Sequence, residues 1–292
     1  MANNNFIDQI SSEVPILIAG QTASGKSQLA LQIAEKGDRV IVNADAIQVY
    51  KNWRILTARP SVTDEALAKH MLYGHLAAQI EYSVGRWLQD VQKLLAIYPN
   101  PIIVGGTGLY FSALTNGLID IPDIPAKVRE EANNRIQNEG FESLIEEIDS
   151  ETITKIDKNN PMRVQRAWEV MKTTGRGLLS WQSETPKPIL DLKSCETILV
   201  DGDASFTNNR INSRFDQMLE NGLLEEASKN FSTWDEKNPS SKAIGAKELM
   251  AFLNDDISME QLKEEVVIAT RQYAKRQRTW FRSKMKSWKK LN

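Results

Sequence analysis

Short runs of apolar, often β-branched residues alternate along this chain with longer segments in which apolar residues recur every three or four positions. The apolar runs are VPILIA at 14–19, RVIVN at 39–43 and PIIVGG at 101–106. Helical periodicity follows the first run, and it also covers 82–97, just before the third. Short buried strands that alternate with helices are typical of parallel sheets. The pattern therefore predicts an α/β fold, a parallel sheet core with helices on both faces.

The pattern changes after LIDIPDIP at 118–125. The sequence that follows is polar, rich in Glu, Asn and Arg, and helical in period until ETPKPILDLK at 184–193. The apolar run CETILVDGD at 195–203 then indicates a strand that returns to the sheet, followed by helices around 208–231, 246–253 and 259–287. We predict a first core segment at 1–121, an all-helical insertion domain at 122–188, and a second core segment with a basic C-terminal helix at 189–292.

The first strand run leads directly into GQTASGKS, which matches the phosphate-binding pattern G-x-x-x-x-G-K-[ST]. Such a loop directs backbone N–H groups and the positive end of a helix toward phosphate oxygens. The lysine neutralises phosphate charge, and the final hydroxyl is placed to ligand Mg²⁺, which we expect as the cofactor. The predicted diphosphate or nucleotide site, in a P-loop NTPase-like core, comprises Gly20, Gln21, Thr22, Ala23, Ser24, Gly25, Lys26 and Ser27, the last as metal ligand.

The loop alone does not identify the phosphate that it binds. An ATPase of this type has a second apolar strand that ends in a magnesium-binding aspartate, yet PIIVGGTGLY ends in two glycines and Thr107. The run RVIVNAD does end in an acid, Asp45. Asp45 is therefore open to two interpretations, metal ligand or general base.

Composition narrows the classes of protein. The chain of 292 residues is 41% hydrophobic and contains one cysteine, Cys195, and two histidines, His70 and His75. This excludes an internal disulfide framework and a zinc site of several thiolates. An apolar run of the roughly 18 residues that span a membrane is absent from the sequence, as is a secretory signal. We expect a soluble cytoplasmic protein, and a monomer because no apolar stripe is left over.

Charge is unevenly distributed. Residues 271–290 contain nine Lys or Arg and no acid, whereas the whole chain has a formal net charge of −2. Six cations recur at helical spacing and predict one cationic stripe, either an ordinary solvated face or, as we prefer, a phosphate-contacting one: Arg271, Lys275, Arg278, Arg282, Lys286 and Lys289. The interleaved residues are expected to pack on the core: Tyr273, Trp280, Phe281, Met285 and Trp288.

Two arginine pairs elsewhere also have helical spacing. Arg163 and Arg166 share one helix face, suitable either for RNA phosphates or for ion pairs with nearby acids. Arg210 and Arg214 recur one turn apart and could reach a bound diphosphate, and of these two we predict Arg214 as the ligand.

Six segments, taken in order, resemble the tRNA dimethylallyltransferase family: GQTASGKS, NADAIQVYKNWRILTARP, VGGTGLYFSAL, NNPMRVQRAWEV, KAIGAKEL and ATRQYAKRQRTWFR. The resemblance spans nearly the whole chain. It implies transfer of a dimethylallyl group from dimethylallyl diphosphate to N6 of adenine 37, beside the anticodon of tRNA, with release of diphosphate. The loop would then bind the leaving diphosphate, which is consistent with the missing ATPase acid.

The resemblance also implies residue roles. Asp45 falls on the aspartate proposed as the base that accepts the N6 proton, and Thr107 falls on the threonine near the bridging oxygen of the diphosphate. The tRNA anticodon stem-loop would be contacted by Asp45, Ala46, Ile47, Gln48, Thr107, Arg129, Met162, Arg163, Val164, Gln165, Arg166, Lys242 and Lys247.

Three positions depart from the family pattern. Ala46 stands in place of a usual serine, Leu56 in place of a glycine and Ala246 in place of a tyrosine. Two alternatives remain beside the prenyltransferase interpretation. The first is a P-loop kinase that phosphorylates a small metabolite with ATP, which leaves the basic stripe unexplained. The second is a non-catalytic, nucleotide-gated RNA-binding module.

Overall fold

Six parallel strands form one sheet in a computed structural model that describes residues 6–7, 9–184 and 186–291, without the side chains of 204–206. The strands are β1 (Ile16–Gly20), β2 (Ile41–Asn43), β3 (His70–Met71), β4 (Ile102–Gly105), β5 (Glu196–Val200) and β6 (Lys289–Leu291). Their order across the sheet is β3-β2-β4-β1-β5-β6, and every pairing is parallel. The predicted α/β class is confirmed.

Helices connect the strands. The α-helices with described bounds are α1 (Lys26–Gly37), α2 (Val62–Leu67), α3 (Val84–Ile97), α4 (Gly108–Asn116), α5 (Ala126–Glu139), α6 (Ser150–Lys155), α7 (Pro161–Thr174), α8 (Leu178–Gln182), α9 (Ala204–Glu220), α10 (Leu223–Phe231), α11 (Ala246–Leu253) and α12 (Met259–Lys284). Three 3₁₀ helices lie at Phe141–Glu147, Leu192–Ser194 and Pro239–Lys242. Among these described helices, none is long and apolar enough to cross a membrane.

The central strands are buried because both faces of the sheet are covered. Every residue of β1 is buried, and alternate side chains of β1, β2, β4 and β5 pack against the apolar face of α1. Continuous apolar runs are what such doubly covered parallel strands require. A second apolar cluster is formed by helices α9 to α12 and the segment around Trp53. The Trp53 side chain is fully buried.

The C-terminal segment differs from its prediction. Helix α12 ends at Lys284, and β6 then pairs with β5, so Lys286 and Lys289 lie outside the helix and do not extend the predicted stripe. Burial of the apolar residues explains the turn, since Met285 and Trp288 are 3% and 5% exposed. Core packing is thus confirmed for Met285, Trp288 and Phe281, whereas Tyr273 and Trp280 are half-buried.

The chain divides into two compact units. The first unit comprises the residues up to Thr115 and those from Leu190 onward, and the second is Asn116–Ile189, which contains the predicted insertion at 122–188. The chain leaves the first unit and re-enters it at neighbouring backbone positions, since the Leu190 N–H donates to the Leu114 carbonyl at 3.1 Å.

The second unit is helical and has its own core. Its buried apolar residues come from α5, the 3₁₀ helix Phe141–Glu147, the residue after it, and α7: Ala132, Leu144, Ile148, Val164, Ala167 and Trp168. Local sequence sets the bounds of α7. The Asn160 side chain accepts the Arg163 N–H, Pro161 occupies the first turn, and Gly175 ends the helix in the left-handed conformation.

Candidate active site

Three loops meet at the carboxyl edge of the sheet in the first unit. The glycine-rich loop follows β1, Asp45 follows β2, and Thr107 follows β4. Because β4 lies between β1 and β2, the three loops are neighbours. This edge is where open α/β sheets bind their ligands.

The glycine-rich loop leads into α1, and Gly25 is the helix N-cap with a φ of 93°. The first N–H groups of a helix lack intrahelical partners and are suited to bind an anion. Two other N–H groups of the loop are already used. The Ser24 N–H donates to the Gln21 carbonyl at 3.2 Å, and the Thr22 N–H donates to Gln277 Oε1 at 2.8 Å. The N–H groups that can hold phosphate are thus fewer than the eight-residue motif predicts.

The Gln21 side chain is used within the protein. Its side chain is 1% exposed, and its amide donates to Thr207 Oγ1 at 2.8 Å while its oxygen accepts from Arg278 at 3.3 Å. Gln21 therefore anchors the loop to neighbouring elements and does not present its side chain to a phosphate.

Further cationic side chains lie around the loop. Burial lowers the pKa of Lys26 to about 8, with the nearby charge of Asp45 opposing that shift and Arg214 adding to it. Burial also lowers the pKa of Arg214, again opposed by Asp45. The Arg210 guanidinium reaches within 3.4 Å of the point where a Cβ on Gly25 would lie. Both arginines of α9 thus lie near the loop, whereas the sequence analysis selected only Arg214.

Asp45 is held by a buried amide that the sequence analysis did not select. The Asp45 N–H donates to Asn43 Oδ1 at 2.8 Å, and Asn43 Nδ2 donates back to the Asp45 carbonyl at 2.9 Å. Asn43 is fully buried. The Ile47 N–H donates to Asp45 Oδ1 at 3.0 Å, and Oδ2 lies 3.3 Å from the Cβ position of Gly106. The Oδ1 atom of Asp45 is therefore fixed by a hydrogen bond, and Oδ2 faces the turn after β4.

Thr107 lies on that turn. Its hydroxyl accepts the Ala46 N–H at 2.9 Å, and its own N–H donates to the Ala44 carbonyl at 3.1 Å. Because a threonine hydroxyl has one proton and two lone pairs, this arrangement leaves the proton for a ligand oxygen. A side chain at Gly105 would lie 2.0 Å from the Ala44 oxygen, so only glycine allows this close approach of the loops after β2 and β4.

A cavity of about 340 Å³ opens beside these groups. Its polar walls include Thr22, Lys26, Ser27, Asp45, Arg214 and Gln277. Its apolar walls are Ile47, Leu56, Ile211, Phe215, Met218, Ile244, Val266 and Val267. We call this cavity the chamber. It combines anion-binding groups with a hydrophobic surface large enough for a short hydrocarbon.

The loop at 53–58 forms one wall of the chamber and is fixed by two side chains. The Glu226 carboxylate accepts the N–H groups of Arg54, Ile55 and Leu56 at 2.6 to 2.9 Å. The Gln48 amide donates to the carbonyls of Thr57 and Ala58 at 2.8 and 3.1 Å. Gln48 is one of the residues predicted to contact tRNA, and its side-chain amide donates within the protein.

The donor set around the loop fits a magnesium ion shared with a ligand. The described residues contain no cluster of three or more His, Cys, Asp or Glu that could hold a metal. Ser27 lines the chamber and is exposed. Magnesium usually takes few protein ligands and completes its shell with phosphate oxygens and water. Ser27 fits that arrangement.

The predicted cationic stripe of α12 is partly paired. Arg282 forms an ion pair with Asp201 at 3.3 Å, Arg271 donates to Asn212 at 3.1 Å, and Arg278 donates to Gln21. Lys247 pairs with Glu236 at 2.9 Å, which raises the lysine pKa, whereas Lys242 lines the chamber. Three of the six cations of the predicted stripe therefore have partners within the described part of the chain.

The candidate RNA surface of the second unit lies on α7 and nearby helices. Met162 is 75% exposed, Arg163 and Arg129 are exposed, and Arg166 lies 3.8 Å from Glu169. Two other residues predicted to contact tRNA, Val164 and Gln165, have side chains that are buried or hydrogen-bonded within this unit.

Val164 is in the core at 0% exposure, and the Gln165 amide donates to Asn133 and Glu169. A cavity of about 550 Å³ on this unit is lined by residues that include Lys155, Met162, Arg163 and Arg166. The exposed arginines Arg163 and Arg166 therefore form a cationic surface beside this cavity.

The fold and this site together define a protein with a P-loop-like fold in which cationic side chains, a carboxylate and an apolar cavity lie together. Comparison with known proteins identifies the group to which it belongs. The family model described as IPP transferase matches residues 48–284. The chain belongs to the IPP transferase family.

Proteins of similar sequence match this chain over nearly its whole length. The chain is 52% identical to the tRNA dimethylallyltransferase of Ruegeria sp. (strain TM1040) over 98% of each chain. It is 53% identical to that of Roseobacter denitrificans, over 94% of this chain and 98% of the relative.

Solved structures agree as well. A full-length tRNA isopentenylpyrophosphate transferase from Bacillus halodurans is 29% identical with a TM-score of 0.67, over 95% of this chain and 90% of that one. A eukaryotic dimethylallyltransferase, solved acting on tRNA, is 27% identical with a TM-score of 0.79, over 91% and 69%.

Proposed function

We propose that the protein transfers the dimethylallyl group of dimethylallyl diphosphate to N6 of adenine 37 in tRNA, giving N6-(dimethylallyl)adenosine and diphosphate. One observation carries the proposal. A single chamber joins phosphate-binding groups, apolar walls and the Asp45 carboxylate. A prenyl diphosphate needs the first two, and an amine that loses a proton needs the third. Full-length similarity to tRNA dimethylallyltransferases supports the same reaction.

In the proposed reaction, the N6 nitrogen attacks the first carbon of the dimethylallyl group. A C–N bond forms, the C–O bond to the diphosphate breaks, and its electron pair leaves with the diphosphate. Asp45 accepts the N6 proton, and the Thr107 hydroxyl donates to the departing oxygen. Lys26, Arg214 and the N-terminus of α1 offset the charge of the leaving group.

Magnesium is the proposed cofactor, bound by Ser27 and diphosphate oxygens. When bound, it supplies charge neutralisation to the leaving group. The chain itself supplies orientation, because the loops that carry Lys26, Asp45 and Thr107 are fixed by backbone and buried amide hydrogen bonds.

The adenine must leave the stacked anticodon loop to reach Asp45, since a stacked base hides its N6 amine. We propose that exposed cations hold the RNA phosphates while the base enters the chamber. In the second unit these are Arg129, Arg163 and Arg166, with Met162 beside them; in the first unit they are Lys242 and Lys247. The protein is expected to act as a monomer in the cytoplasm.

The test is to incubate the protein with unmodified tRNA, Mg²⁺ and dimethylallyl diphosphate, then digest the tRNA and measure the mass of the anticodon fragment. We expect a gain of one dimethylallyl group at adenine 37, in an amount that depends on both substrates. A parallel reaction with ATP in place of the prenyl donor tests the kinase alternative. Phosphoryl transfer from ATP with no prenyl transfer would contradict the proposal.

A further inference from the structure

Gln277 is a buried amide on the inner face of α12. Its side chain is 7% exposed, and the same face carries the buried residues Ala274 and Phe281. Polar side chains in such positions are buried only with hydrogen-bond partners. Gln277 has two. Its Oε1 accepts the Thr22 N–H at 2.8 Å, and its Nε2 donates to the Gly106 carbonyl at 2.9 Å.

The two partners belong to different loops of the site. Thr22 lies in the glycine-rich loop after β1, and Gly106 lies in the turn after β4, directly before Thr107. One amide group therefore joins the loop proposed to bind the leaving group to the turn whose Thr107 hydroxyl is proposed to donate a hydrogen bond to it. The two loops are adjacent, but among the hydrogen bonds described between side chain and backbone, Gln277 alone bridges Thr22 and Gly106.

Gln277 also approaches the Asp45 carboxylate. A Cβ on Gly106 would lie 2.3 Å from Gln277 Nε2 and 3.3 Å from Asp45 Oδ2, so both side chains converge on the same glycine. Gln277 lines the chamber. Around it lie the charged and titratable groups Lys26 of α1, Asp45 of the β2 loop, Arg214 of α9, and Tyr273, Arg276 and Arg278 of α12.

We propose that Gln277 is a positioning residue for the transfer reaction, which fixes the Thr107 turn relative to the glycine-rich loop. This inference rests on the proposed function. The physical reason is that a donor stabilises a leaving group only when it lies at hydrogen-bond distance from the oxygen on which charge develops. The neutral amide does this without adding charge beside Asp45.

The informative substitution is Gln277→Glu, which keeps the shape and the acceptor for Thr22. It removes the donor to Gly106 and places a second carboxylate near Asp45. We expect kcat to fall about 100-fold with little change in the KM for dimethylallyl diphosphate. We also expect the acidic limb of the kcat/KM profile to move upward by about one pH unit, because a neighbouring negative charge makes a carboxyl group harder to ionise.

A second substitution, Gln277→Met, removes the hydrogen bonds to Thr22 and Gly106 without adding charge. It should lower kcat by a similar factor while the acidic limb stays where it is in the unsubstituted protein. Gln272→Glu is the matched control, since Gln272 is an exposed glutamine on the same helix and the charge change is the same. It should leave kcat and the pH profile unchanged.

Thermal unfolding and dimethylallyl diphosphate binding are measured for each variant, so that lost activity is separated from lost fold. The inference is overturned if both Gln277 variants keep kcat within twofold. It is also overturned if their activity falls only in proportion to the folded fraction, with no shift of the acidic limb in Gln277→Glu. If the unsubstituted protein itself transfers no prenyl group, the proposed function fails, which is a different outcome.

Discussion

The two units use charged and polar side chains in different ways. In the first unit, the polar groups of the site are fixed by short hydrogen bonds. Asn43 and Gln277 are buried, and each of them contacts the backbone of a loop that forms the site. In the second unit, Arg163 and Arg166 are exposed, and the contact of Arg166 with Glu169 is long, at 3.8 Å.

This difference matches two physical demands. Bond-breaking is sensitive to small displacements, so its groups must be placed before the substrate arrives. Binding of RNA phosphates depends mainly on charge and tolerates mobile side chains, because the phosphate contacts position the RNA without reading its sequence. Substitutions in the first unit should therefore change rates strongly, and those in the second unit should change affinity modestly.

The largest effect is expected for Asp45→Asn. The amide keeps the shape of the side chain but cannot accept the N6 proton, so kcat should fall by about 10³-fold while tRNA affinity stays within a few-fold. Single-turnover transfer and a separate tRNA-binding titration measure the two quantities. Asp256→Asn, at an exposed position of the same unit, is the control and should behave like the unsubstituted protein. Near-normal turnover in Asp45→Asn would exclude this residue as the base.

A pH effect should follow from Lys26. Its pKa is lowered to about 8 by burial, so the side chain is charged below that pH and becomes neutral above it. Affinity for dimethylallyl diphosphate should therefore fall with rising pH, by up to roughly tenfold per unit above 8. Isothermal titration from pH 7 to pH 9.5 measures this. In Lys26→Arg, which stays charged, the dependence should disappear. An unchanged slope in that variant would assign the titration to another group.

Donor selectivity should respond to Leu56. This side chain lines the chamber, is 7% exposed, and its Cδ1 lies 3.0 Å from the Cβ position of Gly245. Leu56→Ala should enlarge the apolar end and raise kcat/KM for geranyl diphosphate, relative to dimethylallyl diphosphate, by about fivefold.

Leu249→Ala is the control for this substitution, because Leu249 is fully buried in the same cluster but does not line the chamber. Both variants should lose about 2–5 kcal/mol of unfolding free energy. Only Leu56→Ala should change the ratio of the two donors. An equal change in both variants would mean that general loosening of the core, and not chamber size, sets donor preference.

The smallest effect is expected for Arg163→Ala on the second unit. We expect the KM for tRNA to rise about threefold, with kcat unchanged, and the slope of log affinity against log salt to become shallower by about 0.7. Lys172→Ala is the control, since Lys172 lies on the opposite side of α7 and pairs with Glu131 at 3.1 Å. If kcat fell with Arg163→Ala, the proposed division between the two units would be wrong.

Local sequence signals were sufficient for part of the site. The glycine-rich loop follows a short apolar strand, and Asp45 and Thr107 follow two others, so parallel strands bring them to one edge. The parallel sheet was predicted for the same reason. These residues could be selected because the relevant information lies within a few positions of each.

The supporting residues could not be selected in the same way. Gln277 is 255 positions from Thr22, and Glu226 is about 170 positions from the loop that it fixes. Only the packing of helices brings them together. A signal for Gln277 was nevertheless present, because a polar residue occurs at a core position of an amphipathic helix. The end of α12 at Lys284 was not predicted, because basic residues continue at helical spacing beyond that residue. In the structure the chain turns there, and Met285 and Trp288 are buried.

The hydrogen bond between Leu190 and Leu114 has a consequence for engineering and for descent. The chain departs from the sheet-containing unit and rejoins it at adjacent backbone positions, so the intervening 116–189 behaves as a cassette whose ends are already closed. Segments with neighbouring ends are the ones that proteins exchange most readily. A different insert could be spliced at Leu114 and Leu190 without changing any residue that lines the chamber.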